Sequence, residues 1–240
     1  SPINDQNLLL LAALRAELDR RGLPVPVFWG NRNFDPFLVD TLRRAHEAGM
    51  RHLVTIVTSA YTSYSSCRQY RDDLGEAVTT LADEGLEIEV DKVRPYFNHP
   101  GFSRANAREV TEAVRGLKQR PDDELRLVFV THSIPEAMDD PSGPGDGDGN
   151  PYRREHLALA AAITDEVNAT LGRGLDHELV YCSRSGSPGQ PWLGPDVNAA
   201  LRHPASNGVR GLVVAPDGFR PDPSAVKFAP DPDAATADPP

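Results

Sequence analysis

Leu125-Arg126-Leu127-Val128-Phe129-Val130-Thr131-His132-Ser133-Ile134-Pro135 reads as a strand that turns abruptly polar where the chain must leave its sheet. An apolar, β-branched run of this kind suits a strand covered on both faces, as in a parallel sheet. Ligands gather outside the carboxyl ends of such strands, so His132 occupies a position where chemistry is expected. A histidine with a purely structural role at a strand end is the competing reading.

Helical and strand patterns alternate on both sides of this run. Leu8, Leu11, Leu14 and Leu18 follow a helical period over Asp5 to Arg21, and Val25 to Gly30 reads as a short strand. Asp35 and Pro36 open a helix to Ala48, followed by a strand over His52 to Ser59, a helix ending near Ala82 and a strand over Leu86 to Val93. Helix Ala105–Leu117 precedes the central run. After it come helix Tyr152–Leu171, strand Leu179–Cys182, helix Asp196–Arg202 and strand Val209–Ala215. Strands separated by helices of this length imply right-handed parallel crossovers, hence an α/β fold with parallel sheets covered by helices. The expected division is a first lobe over 1–88, a second over 89–219 and a disordered tail over 220–240, where Pro, Asp and Ala dominate and burial cannot offset ordering entropy. The Gly-, Pro- and Asp-rich stretch Asp139 to Asn150 reads as a mobile lid or a disordered insertion. It lacks the glutamate that would complete a calcium-binding loop.

Composition narrows the partners. A chain of 240 residues, 39% hydrophobic, can bury a sizeable core, and its formal charge of -10 disfavours nucleic acid or an anionic membrane. No apolar run reaches the roughly 20 residues of a membrane span and the first residues do not form a signal sequence, so a cytoplasmic protein is expected. Ser1 in place of methionine, directly before a helical pattern, reads as an internal cut.

No Walker motif, no GxGxxG after a strand and no GxSxG elbow is found, so nucleotide binding and serine hydrolysis lack a signal. Polar groups collect instead at the strand ends: Asn31, Arg32 and Asn33; Ser59, Tyr61 and Tyr64; His132 and Ser133; and Ser183, Arg184 and Ser185. Such a set suits a flat aromatic ligand carrying carboxylates, because a guanidinium forks onto a carboxylate and tyrosine offers both ring and hydroxyl. Loop residues that merely solvate a sheet edge would look the same.

Seven segments occur in order: Ser1-Pro2-Ile3-Asn4, Gly30-Asn31-Arg32-Asn33-Phe34-Asp35-Pro36-Phe37, Thr58-Ser59-Ala60-Tyr61, Ser66-Cys67-Arg68-Gln69-Tyr70-Arg71, Thr131-His132-Ser133-Ile134-Pro135, Ser183-Arg184-Ser185-Gly186 and Pro191-Trp192-Leu193-Gly194-Pro195-Asp196-Val197. Together they resemble the ferrochelatase family, in its actinobacterial, coproporphyrin-using form. The resemblance implies two Rossmann-like lobes around a porphyrin cleft, and insertion of Fe²⁺ into coproporphyrin III to form coprohaem, a step of haem biosynthesis. It assigns His132 as the metal-binding, proton-accepting histidine. Ser1 and Tyr70 match porphyrin-contacting positions, Arg32 matches a basic residue near the cleft, and Trp192 matches a pocket wall, with a buried structural tryptophan as the alternative. Porphyrin and Fe²⁺ are the implied partners, the iron as substrate.

The sequence departs from the family pattern in several places. The family chain begins well before the Ser1-Pro2-Ile3 segment, so the first lobe is expected to be incomplete. After the last strand Pro216, Gly218, Phe219 and Asp222 match, but Ala225 stands where the family has glutamate, and Pro221 and Pro223 interrupt the expected helix. Cys67 matches one iron-sulfur ligand position of cluster-bearing relatives; with Cys182 it gives two thiols, too few for a four-thiolate cluster. Two further readings stand beside the enzyme: a porphyrin-binding protein with little turnover, and a chelatase for another tetrapyrrole and metal.

Overall fold

The computed structural model describes residues 2–64, 68–117, 121–139, 149–184, 189–202, 209–216 and 226–228. They form two compact units, Ser1–Val57 with Gln69–Val93, and Thr58–Arg68 with Arg94–Pro240. The division falls after Val93 and not at Ile88, because Glu89–Lys92 is a strand of the first unit. Thr58–Arg68, although flanked on both sides by first-unit chain, belongs to the second.

The first unit contains α1 (Pro2–Arg20), α2 (Leu38–Glu47), β1 (His52–Thr55), α3 (Gln69–Asp83) and β2 (Glu89–Lys92). β1 and β2 pair in parallel from His52↔Glu89 to Thr55↔Lys92. Leu42 and Ala45 of α2 meet Ala77 and Leu81 of α3, with Ile88 closing the cluster and Phe28 and Leu53 packed on it. The strand expected over Val25 to Gly30 is not formed. Pro24 and Pro26 have no N–H to give to a ladder, and carbonyls of this segment are taken by side chains instead. Arg15 Nη2 donates to Val27 O at 2.6 Å, and Thr41 Oγ1 donates to Trp29 O at 3.1 Å. Gly30 lies against Thr41 so closely that a Cβ there would stand 2.9 Å from Thr41 Oγ1.

The second unit contains α4 (Pro100–Arg115), a 3₁₀ turn (Asp122–Glu124), β3 (Leu125–His132), α5 (Glu136–Asp139), α6 (Pro151–Leu171), β4 (Asp176–Cys182), α7 (Val197–Arg202), β5 (Gly211–Pro216) and β6 (Val226–Phe228). Strand order is β4-β3-β5-β6, with β3 parallel to both neighbours and β6 antiparallel to β5. Pro100 and Pro151 begin α4 and α6, where a missing N–H costs nothing. Gly172 ends α6 in the left-handed region at φ 64, its N–H returning to Asn168 O. Within the tail expected to lack structure, Val226–Phe228 is a strand; the rest of 217–240 lies outside the described residues.

β3 is buried on both faces. Leu125, Leu127 and Phe129 pack in one cluster with Val110 and Val114 of α4 and Leu159, Ile163 and Val167 of α6. Val128 and Val130 pack in another with Val180, Leu212 and, from α7, Val197 and Leu201. Period-two alternation therefore distributes one strand between two cores. Leu127→Ala is expected to destabilise the protein by about 2–5 kcal/mol, the usual range for a fully buried leucine. Val54→Ala, on the exposed side of β1, is expected to cost less than about 0.5 kcal/mol. Urea unfolding followed by far-UV dichroism checks both, with an unchanged midpoint for Leu127→Ala counting against this view of the core.

Candidate functional site

β3 places His132 at its carboxyl end with the side chain exposed. The chain leaves the sheet under tight control. Ser133 N–H donates to Cys182 O at 2.8 Å, and the buried Ser133 Oγ donates to Leu193 O at 2.8 Å. Leu193 N–H donates to Ile134 O at 3.0 Å, Pro135 and Trp192 form an antiparallel bridge, and Tyr181 N–H donates to Pro195 O. The Thr131–Pro135 and Pro191–Asp196 segments are thus stitched to each other across the ends of β3 and β4. Trp192 is half-buried, and its Nε1 has no hydrogen-bond partner among the described residues.

Arg32 and Tyr70 come together in the first unit. Asn31 N–H donates to Pro36 O at 2.8 Å and closes the loop that carries Arg32. The guanidinium lies over the Tyr70 ring, 5.1 Å from its centroid, and forms an ion pair with Asp73. Asp73 follows Tyr70 by three residues and so shares its face of α3. Arg32 therefore already holds a carboxylate, that of Asp73. Ser1, Ser185, Cys67 and Ala225 lie outside the described residues, as does most of the Asp139–Asn150 stretch. Among the described residues no group of three or more His, Cys, Asp and Glu is arranged to hold a metal ion.

Tyr61 departs from its expected place beside a ligand. It is a core ring, 6% exposed, stacked on His156 with centroids 3.6 Å apart and edge-on to Phe102 and Tyr152. Its neighbour Thr62 is bound by α6: N–H and Oγ1 donate to the two Glu155 carboxylate oxygens at 2.6 and 2.7 Å.

The family model for ferrochelatase matches residues 1–229. The chain belongs to the ferrochelatase family. Among its relatives, the protein named coproporphyrin III ferrochelatase in Streptomyces coelicolor is 47% identical over 92% of this chain and 60% of its own length. The protein of that name in Leifsonia xyli is 44% identical over 92% of this chain and 59% of its own length. One named ferrochelatase in Rhodopirellula baltica is 38% identical over 98% of this chain and 63% of its own length. The chain thus spans about three-fifths of the length of these curated ferrochelatase relatives.

Around the family's Thr131–Pro135 segment, the structure adds residues that sequence reasoning missed. Thr131, Tyr152 and His156 form a buried polar group beneath the end of β3, and Asp139 receives the Tyr152 N–H at 2.9 Å. Burial pushes the Asp139 carboxyl above its ordinary pKa, opposed by the N–H groups of Tyr152 and Arg153. Tyr152, His156, Leu159, Ile163 and Val167 fall on one helical stripe, a pattern that places the two polar rings on the apolar face of α6.

Burial likewise raises the Glu155 pKa, opposed by its bonds from Thr62. A carboxyl with a raised folded-state pKa contributes stability below its unfolded value of about 4.3 and loses it as pH rises through the folded value. Relative to Glu155→Gln, the wild-type chain should therefore lose thermal stability as pH is raised from about 4 toward about 7. Melting curves of both proteins across that range check the sign; a wild-type advantage that grows with pH would show the carboxylate to be favoured by folding.

Proposed function

We propose that this chain inserts Fe²⁺ into coproporphyrin III to give coprohaem, a cytoplasmic step of haem biosynthesis. The observation that carries the reading is the 47% identity, over nearly the whole chain, to a relative named coproporphyrin III ferrochelatase. The exposed imidazole of His132, at the carboxyl end of the central β3 strand, supports it chemically. Among the described residues no helix is long and apolar enough to cross a membrane.

Metallation replaces two pyrrole N–H protons by one Fe²⁺, so two protons must leave for each iron that enters. A neutral imidazole suits both halves of the exchange, because it ligates a borderline metal and accepts a proton near neutral pH. His132 takes that role here. Arg32 and Tyr70 take the porphyrin-binding roles that the family resemblance assigns them, the guanidinium toward a propionate and the ring toward the macrocycle, and the same resemblance assigns porphyrin contacts to Trp192 and Ser1. A porphyrin carboxylate competes with Asp73 for Arg32, since both seek the same fork of N–H donors.

His132→Ala is expected to abolish Fe²⁺ insertion and leave coproporphyrin binding within a few-fold, because the lost group acts on the chemical step. Absorbance titration with coproporphyrin III followed by anaerobic Fe²⁺ addition measures both. Undiminished insertion by that variant would remove His132 from the reaction. Saturable binding without conversion by the wild-type chain would favour the porphyrin-binding reading, to which Ala225 points. In the same titration Arg32→Ala should weaken coproporphyrin binding by about 1–3 kcal/mol, the worth of a charged hydrogen bond, and Asp73→Asn should strengthen it. Equal losses for coproporphyrin and its ester on Arg32→Ala would make Arg32 a structural residue.

A further inference from the structure

Side chains alternate along β3, so Thr131 and His132 leave the strand on opposite faces. His132 is exposed, whereas Thr131 is fully buried against α6 beside Tyr152 and His156, residues one helical turn apart. Thr131 Oγ1 lies 2.8 Å from Tyr152 Oη and 3.2 Å from His156 Nε2, and Tyr152 Oη lies 3.1 Å from the carbonyl oxygen of His132.

Counting protons gives these contacts a direction. A carbonyl oxygen only accepts, so the single phenolic proton of Tyr152 goes to His132 O. The Tyr152 oxygen then accepts from Thr131, whose one hydroxyl proton is thereby committed. Thr131 must in turn accept from His156, which therefore carries its proton on Nε2. The order is His156 Nε2–H to Thr131, Thr131 to Tyr152, and Tyr152 to the His132 carbonyl. Because it ends on a carbonyl, the chain of bonds cannot deliver a proton to the His132 imidazole. What it can do is hold the strand end. Its members are themselves held: Tyr61 stacks on the His156 ring, and Asp139 binds the Tyr152 N–H.

We propose that His156 and Tyr152 are positioning residues for His132, acting through this one-way series to fix the peptide from which the His132 imidazole projects. The functional half of the proposal rests on the reading of His132 as the residue that handles iron and protons. If the buried group served stability alone, its removal would alter melting without selectively altering turnover or the strand end.

Two measurements on the full chain separate these cases. The first is Fe²⁺ insertion into coproporphyrin III. Tyr152→Phe and His156→Leu are expected to lower kcat by about 10–100-fold, the usual effect of removing an outer partner of a metal-handling residue, with KM for porphyrin within about twofold. His156→Gln, whose amide can supply the Nε2–H, should recover most of the loss. The second is native-state hydrogen exchange of the peptide spanning Thr131–Pro135. Exchange there should rise about tenfold in Tyr152→Phe and His156→Leu, but not in His156→Gln, while strands β4 and β5 keep their protection. Unchanged exchange at this peptide, unchanged kcat in Tyr152→Phe, or equal behaviour of His156→Gln and His156→Leu would each overturn the proposal. Should His156→Leu fail to fold, Tyr152→Phe, which keeps the ring, decides. A wild-type chain that does not metallate porphyrin would refute the proposed function, and the exchange measurement would still decide whether the bonds hold the strand end.

Discussion

Two-sided burial of β3 is the constraint on which the second unit depends. Leu127, Val128 and Phe129 are completely inaccessible and belong to different cores, so neither side of the strand can move without opening a packed face. Parallel pairing with both β4 and β5 fixes its height in the sheet. A strand held this way presents its carboxyl end at a defined level, and His132 is the first residue there to reach solvent.

The same parity has a chemical consequence. Adjacent residues at the end of a strand face opposite ways, so an exposed imidazole comes with a neighbour that faces the interior. Here that neighbour is a threonine, and a buried hydroxyl requires polar company. The rings of Tyr152 and His156 supply it from α6, and Tyr61 completes the stack. The polar group is thus a requirement of the sheet's geometry once position 131 carries a hydroxyl. A valine there would leave Tyr152 to hold the His132 carbonyl without the Thr131 hydroxyl that links it to His156.

Much of this was legible in the sequence because its signals are local. The apolar run from Leu125 announces its own strand and the ordered motifs from Arg32 to Trp192 carry the family, whereas the helix expected from Ala105 already begins at Pro100. Where reading failed, the deciding interaction lay elsewhere in the chain. Val25 to Gly30 looks like a strand by residue type, but the prolines and the partners Arg15 and Thr41 dictate otherwise. Tyr61 has an apolar ring and a polar tip, and nothing nearby in sequence reveals that His156 waits to stack on it. Thr62 and Glu155 are 93 residues apart, beyond any periodicity. The stripe of α6 did hold a usable signal, since a histidine in register with leucine, isoleucine and valine belongs to the interior.

Tyr61 and Thr62 reach the second unit on a stretch of chain whose two ends both return to the first. The gene therefore cannot be divided into two self-sufficient cassettes by a single cut. A crossover between the codons for Val93 and Arg94 would pass on β3, α6 and His132 intact, yet would inherit Tyr61 and Thr62 from the other parent. Shuffling among homologues should consequently treat the short loop after β1 and the helix bearing His156 as one hereditary unit, although in sequence they are far apart.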